Sequence, residues 1–252
     1  MGAKLAPSSE PDVMNYCWRE YGNRVGAWRM LALFDQLQLP LSVLVNTSLY
    51  EHCPSLVKAC TDRGAEIVAH GYSNAFSQSS MAAVEEGDMI AAVTEAITNF
   101  QGSPPQGWLS PWIAISEITP DLLSENGYLY TLNWCHDDQP TWFQTRSGKP
   151  LLSVPYPQEI NDIPSVVARH IEGNTFADMI IDQFDEMFEQ SQEQSLVMGI
   201  ALHAYITGQP FRLRHLRRAL QQICKRREEI WLCTAGDIAR HFALTSVMRE
   251  GV

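Results

Sequence analysis

The feature that most constrains this chain is a set of short, mostly apolar runs separated by longer segments of helical character. LSVLVN (41–46), EIVAH (66–70), GWLSPW (107–112), YLYTLNW (128–134), LLSVPY (151–156), LVMGIALH (196–203) and IWLC (230–233) each have the length of a strand. A strand that is apolar on successive residues is covered on both faces, as in a parallel sheet wrapped by helices. The segments between the runs supply the covers. Residues 24–38, 56–63, 82–100, 177–190 and 212–227 carry apolar side chains at helical spacing, and a last helix starts near Asp237. Pro40 and Gly64 stand where helices should stop, and Pro120 suits the first turn of a short one. Such repetition predicts an α/β fold, a distorted (β/α) barrel. No internal repeat or linker interrupts it, so the chain is expected to hold one domain over 21–252 behind a flexible lead-in over 1–20.

A net charge of −11 argues against a nucleic-acid or anionic-membrane surface. The basic run from Arg212 to Arg227 reads as a solvated helix face, with a phosphate or carboxylate contact as the alternative. The six cysteines form no CxxC pair, and no run is long enough to span a bilayer, so a cytoplasmic protein with reduced thiols is expected. The expected partner is a small-molecule substrate, with self-association through the aromatic loops left open.

Barrel enzymes do their chemistry at the C-terminal ends of strands. His203 ends an apolar run and precedes the turn-rich AYITGQP, where an imidazole can give a proton to a leaving nitrogen or stabilise an oxyanion. A strand-capping histidine is an equally good reading. His70 ends EIVAH, and Asn74 follows four residues later. Asn is a poor ligand for zinc-type ions, so hydrogen bonds to a polar ligand are the better expectation. Asp137 and Asp138 could hold an N–H group or serve as a general base, or form a solvated turn. Asn161 and Asp162 are polar side chains beyond another strand. Trp112 and Trp134 are expected as apolar walls. No glycine-rich phosphate loop or GxSxG elbow is present.

YGNRVGAWRMLALFD, EIVAHGYSN, GWLSPW, DDQPTW, LLSVPYPQEINDI, GIALHAYITGQP and WLCTAGDIARHF run in order from Tyr21 to Phe242. Together they resemble the polysaccharide deacetylase (NodB-homology) superfamily, and within it the branch around metal-independent allantoinases of the PuuE type. The resemblance implies a barrel that hydrolyses a non-peptide C–N bond in a cyclic amide, ureide or acetylated sugar, with a catalytically impaired member that binds a carbohydrate or ureide without turnover as the alternative. It implies His203 as the late catalytic histidine and His70 as the first metal histidine of metal-dependent members. Asn74 falls where their second metal histidine stands, so neither metal nor cofactor is expected. The arginine that deacetylases carry before the proline of GWLSPW is absent. Members also carry an acidic first strand upstream of YGNRVG. Here about twenty residues precede that motif, and the expectation is a barrel without that strand or a sequence that starts late in the gene.

Overall fold

The computed structural model describes residues 11–247. Its compact contacts divide the chain into two units, one ending at Leu39 and resuming over Pro157–Leu232, the other made of Pro40–Tyr156 and the chain from Cys233 onward.

The second unit is built on a six-stranded sheet of order β1-β2-β3-β4-β6-β5. These strands are β1 Ser42–Val45, β2 Glu66–Ala69, β3 Gly107–Trp108, β4 Tyr130–Thr131, β5 Thr141–Phe143 and β6 Leu151–Ser153. β1, β2, β3, β4 and β6 are parallel, in a register that sets Val45 beside Ala69, Ala69 beside Trp108 and Trp108 beside Thr131. Alternate residues feed two cores. Val45, Ala69, Trp108 and Leu151 pack with Ile90, Val93 and Ile97 of the helix Ala83–Gln101. Val68, Leu109, Tyr130, Leu152 and Val154 pack instead with Ala235, Ile238, Ala239 and Phe242 of the helix Ala235–Val247. Burial on both faces is why these strands read as unbroken apolar runs.

Glu66 at the start of β2 secures the last helix, accepting from Ser42 Oγ at 2.7 Å, Tyr130 Oη at 2.9 Å and the Gly236 amide at 3.0 Å. That amide lies in the helix's first turn, where backbone N–H groups lack intrahelical partners. Burial and the nearby charges of Asp237 and Glu66 push the Cys233 thiol up to about 12.

In the first unit the helix Gly173–Gln190 packs along Pro210–Cys224 through Phe176, Ile180 and Phe184 on one side and Leu213, Leu216 and Leu220 on the other. The basic run serves this packing. Arg218 pairs with Asp178 at 2.6 Å, and Arg227 donates at 2.7 Å to the Leu37 carbonyl beyond the helix Ala27–Gln36.

Several sequence expectations need correction. Part of the lead-in is ordered: Val13–Tyr21 is a helix whose N-cap, Asp12, accepts from the Asn15 amide at 3.1 Å. Residues 1–10 lie outside the described residues. The 196–203 run is not a strand; a single parallel bridge joins Ala201 to Asn161. Pro157, packed against Gly199, has no N–H to extend a ladder there. IWLC is irregular, and β5, unforeseen, runs antiparallel at the edge of the sheet.

Candidate active site

The candidate residues lie in two clusters, one in each unit. In the sheet unit they sit just beyond the C-terminal ends of β2, β3 and β4. His70 is buried, and its Nδ1 lies 2.6 Å from the Leu109 carbonyl oxygen, which requires Nδ1 to carry the proton. Its own carbonyl accepts from Asn46 Nδ2, so the residue ties together the ends of three neighbouring segments. Asn74 anchors the same loop differently. Its carbonyl accepts from Trp112 Nε1 at 2.8 Å, while its side-chain Oδ1 is buried without a hydrogen-bond partner.

Trp112 is 42% exposed and has a left-handed backbone (φ 63°), followed by Ile113 at φ 56°. Consecutive left-handed residues that are not glycine, one of them β-branched, store strain of the kind that gathers at functional loops. Trp134 is exposed too, its ring meeting Phe143 edge-on at 5.2 Å.

Asp137 and Asp138 are both exposed. Asp137 accepts from the Gln139 amide at 2.9 Å, which makes the pair a solvated turn. An exposed carboxylate lacks the enclosed setting in which a general base meets its substrate, so this placement does not favour the expected base role.

The second cluster surrounds His203. Asp162 is fully buried, and Oδ1 lies 2.6 Å from His203 Nδ1. Oδ2 accepts from the His203 amide at 2.8 Å and from Thr207 Oγ1 at 2.5 Å. A carboxylate accepts only, so the facing ring nitrogen carries the proton and Nε2 is left to exchange one. The His203 side chain is 24% exposed. Tyr205 meets that ring edge-on at 5.8 Å, and Trp18 and Arg19 pack on Tyr205 in turn. Asp162 was expected to touch substrate. Instead it is sealed in the interior, with both oxygens committed to holding the histidine. Asn161 is a turn former, its Oδ1 accepting from the Ile163 amide at 3.1 Å.

Sequence reasoning missed Thr207, and it missed a buried chain of polar groups in the sheet unit. Fully buried Glu86 accepts from Gln78 Nε2 at 3.0 Å and from the hydroxyls of Ser116 and Thr119. Gln78 Oε1 accepts from Trp108 Nε1 at 3.2 Å, and the same indole N–H reaches Ser110 Oγ at 2.9 Å. Asn133 closes the chain, accepting from the Ser110 amide at 2.7 Å. Most of these contacts join residues 23 to 33 positions apart, so no local pattern marks the chain.

The residues do not fit the metal centre of metal-dependent deacetylases. Among the described residues no three His, Cys, Asp or Glu side chains are grouped to hold an ion, and an amide stands at Asn74.

Residues 18–131 match the polysaccharide deacetylase family. The crystal structure of PuuE allantoinase superposes with a TM-score of 0.86 at 29% identity, covering 92% of this chain and 77% of that one. These likenesses match the resemblance to the polysaccharide deacetylase superfamily that the sequence motifs carry. A probable polysaccharide deacetylase from Pseudomonas aeruginosa PAO1 superposes with a TM-score of 0.82 at 29% identity, over 88% of this chain and 74% of that one. A peptidoglycan deacetylase of Helicobacter pylori is 26% identical over 254 residues, 88% of this chain and 85% of the relative. The mixed α/β sheet and its helices are thus those of the superfamily's barrel-like fold.

Proposed function

We propose that this protein is a hydrolase of non-peptide C–N bonds in which His203, oriented by Asp162, donates a proton to the leaving nitrogen. Water adds to the carbonyl carbon of an amide or ureide and yields its proton to Nε2 of His203, which becomes the imidazolium. The tetrahedral adduct collapses, the C–N bond breaks with its electron pair on nitrogen, and Nε2 of the imidazolium protonates that nitrogen. A group placed to deliver this proton is worth ~10²–10⁴-fold in rate. The buried carboxylate on Nδ1 supports the role, because it fixes the ring and its tautomer and leaves Nε2 to carry the moving proton.

The likeness to PuuE allantoinase, together with the deacetylase relatives, supports a small cyclic ureide or an N-acetylated sugar as the substrate class. The working compartment is taken as the cytoplasm, a reading supported by six free cysteines. No helix among the described residues is long and apolar enough to cross a membrane.

The observation that carries the proposal is the Asp162–His203 pair. The test incubates the full chain with allantoin, other cyclic ureides and N-acetylglucosamine oligomers, with and without a chelator, scoring ring opening and acetate release. Turnover of one class, abolished in His203→Ala, is expected. Wild-type inactivity on all of them, or full activity of the variant, would remove the proposal.

A further inference from the structure

We propose that Thr207 is a positioning residue for His203, setting the tautomer and aim of the imidazole through Asp162. This rests on the proton-donor reading of His203 and adds to it a residue that touches neither substrate nor the reacting atoms.

The geometry is a closed ring of contacts. From His203 the chain makes one tight turn, in which the amides of Ile206 and Thr207 both donate to the His203 carbonyl at 2.9 Å and the Gly208 amide donates to the Ala204 carbonyl at 3.1 Å. The turn brings Thr207, 2% exposed, back over Asp162. One carboxylate oxygen thus receives the turn's first amide and its last hydroxyl, and the other faces the imidazole. With Oδ2 held by two donors the carboxylate cannot rotate, and Oδ1 is presented to Nδ1 in one orientation. Without the hydroxyl, Asp162 is free to tilt and the ring to turn with it.

The outer side of this turn is braced by backbone. Gly22–Gly26 forms a single wide π-helical turn, a local widening that is frequent at functional sites. A methyl group at Gly26 would overlap the Ala204 carbonyl oxygen, and one at Gly22 would stand 2.8 Å from the Tyr205 amide nitrogen. One at Gly208 would collide with Gly26 in return. Two glycine-bearing segments therefore meet backbone to backbone, and the turn is held between them and Asp162. The YGNRVG segment, with no reactive side chain at its glycines, acquires a physical role: it leaves the His203 turn no room to shift.

The test reads the imidazole directly, so that it stands apart from activity. Full-length protein carrying ¹⁵N-histidine is compared as wild type, Thr207→Val and Thr207→Ser. There are seven histidines, and His203→Gln identifies the signal that belongs to His203. Wild type should show the Nδ1–H tautomer alone. Thr207→Val should add the Nε2–H form, and Thr207→Ser should restore the wild-type pattern. On a turned-over substrate, kcat of Thr207→Val should fall about 10-fold to 10²-fold with KM near wild type, as expected when a catalytic group loses its aim. If Thr207→Val does not fold, Gly26→Ala displaces the same turn and is read by the same signals. Unchanged His203 signals in the folded variant overturn the proposal whatever the activity. A tautomer change reversed by serine supports it even if no substrate is found, a result that would count against the proposed function alone.

Discussion

His70 and His203 both follow apolar runs, both present Nδ1 to an oxygen at 2.6 Å, and they are held for different purposes. The oxygen facing His70 is a neutral backbone carbonyl, and the residue is buried. The oxygen facing His203 is a carboxylate, and that ring is part exposed. A carbonyl fixes a tautomer without favouring charge. A carboxylate also sets a full negative charge against the ring while a proton moves through it, and a part-exposed ring can meet a substrate. What separates a joint from an acid is therefore the partner's charge and the far nitrogen's access, neither of which shows in the two sequence contexts EIVAH and GIALH.

The largest expected effect breaks the His203 side of this contrast. His203→Ala should lose ~10²–10⁴-fold in kcat, measured on the folded variant with whichever ureide or acetylated sugar is turned over, and should also unfold at a lower temperature because buried Asp162 Oδ1 loses its partner. Asp162→Asn comes next. It keeps the shape but removes the charge, and an amide turned NH₂-first towards Nδ1 selects the wrong tautomer. A loss of kcat of at least ~10-fold is expected, with KM changed far less. Equal activity in Asp162→Asn and wild type would mean that the carboxylate matters no more to His203 than a carbonyl does to His70.

How much of this was legible beforehand follows from where the information lies. The strands around 42–45 and 66–69 were readable because both their faces are buried, so each residue of the run reports the same environment. β5 was not, because TWF is three residues in a polar loop and acquires strand pairing only from β6. The run at 196–203 misled because its apolarity is real but its would-be neighbour carries proline. Of the site, His203 and His70 were visible as polar residues ending apolar runs. Asp162 was noticed but its task was not, since the histidine it holds lies 41 residues on. Thr207 had no signal at all. A buried hydroxyl bound to a carboxylate is indistinguishable in sequence from any loop threonine.

A middle-sized effect sharpens the other side of the comparison. His70→Ala should cost about 1–3 kcal/mol of stability, the usual penalty when a buried hydrogen-bonding group loses its partner, here the Leu109 carbonyl. Denaturant unfolding would measure it. Glu86→Ala should cost at least as much, because it strands the hydroxyls of Ser116 and Thr119 and the Gln78 amide. Should His70→Ala instead abolish turnover while leaving stability untouched, His70 would be a working group and the two histidines would be alike.

The smallest effect concerns Tyr205, which packs against the His203 ring. Burial pushes its phenol up to about 12; the Arg19 guanidinium opposes the shift and the Asp162 carboxylate adds to it. The folded state thus holds the proton more tightly than the unfolded chain, whose tyrosines titrate near 10. Folding gains from the neutral phenol while the pH stays below about 10, and that contribution is lost as the pH rises from 10 to 12. Stability against pH should therefore fall across this window, and Tyr205→Phe, with no proton to lose, should fall less steeply than wild type. Tyr128 and Tyr130, also raised by burial, titrate in both proteins, so only the difference between the two curves belongs to Tyr205. Parallel curves from pH 9 to 12 would show that Tyr205 is hydrated in solution. The wall beside His203 would then be open on that side, and the exposure that sets His203 apart from His70 would be larger than the structure gives it.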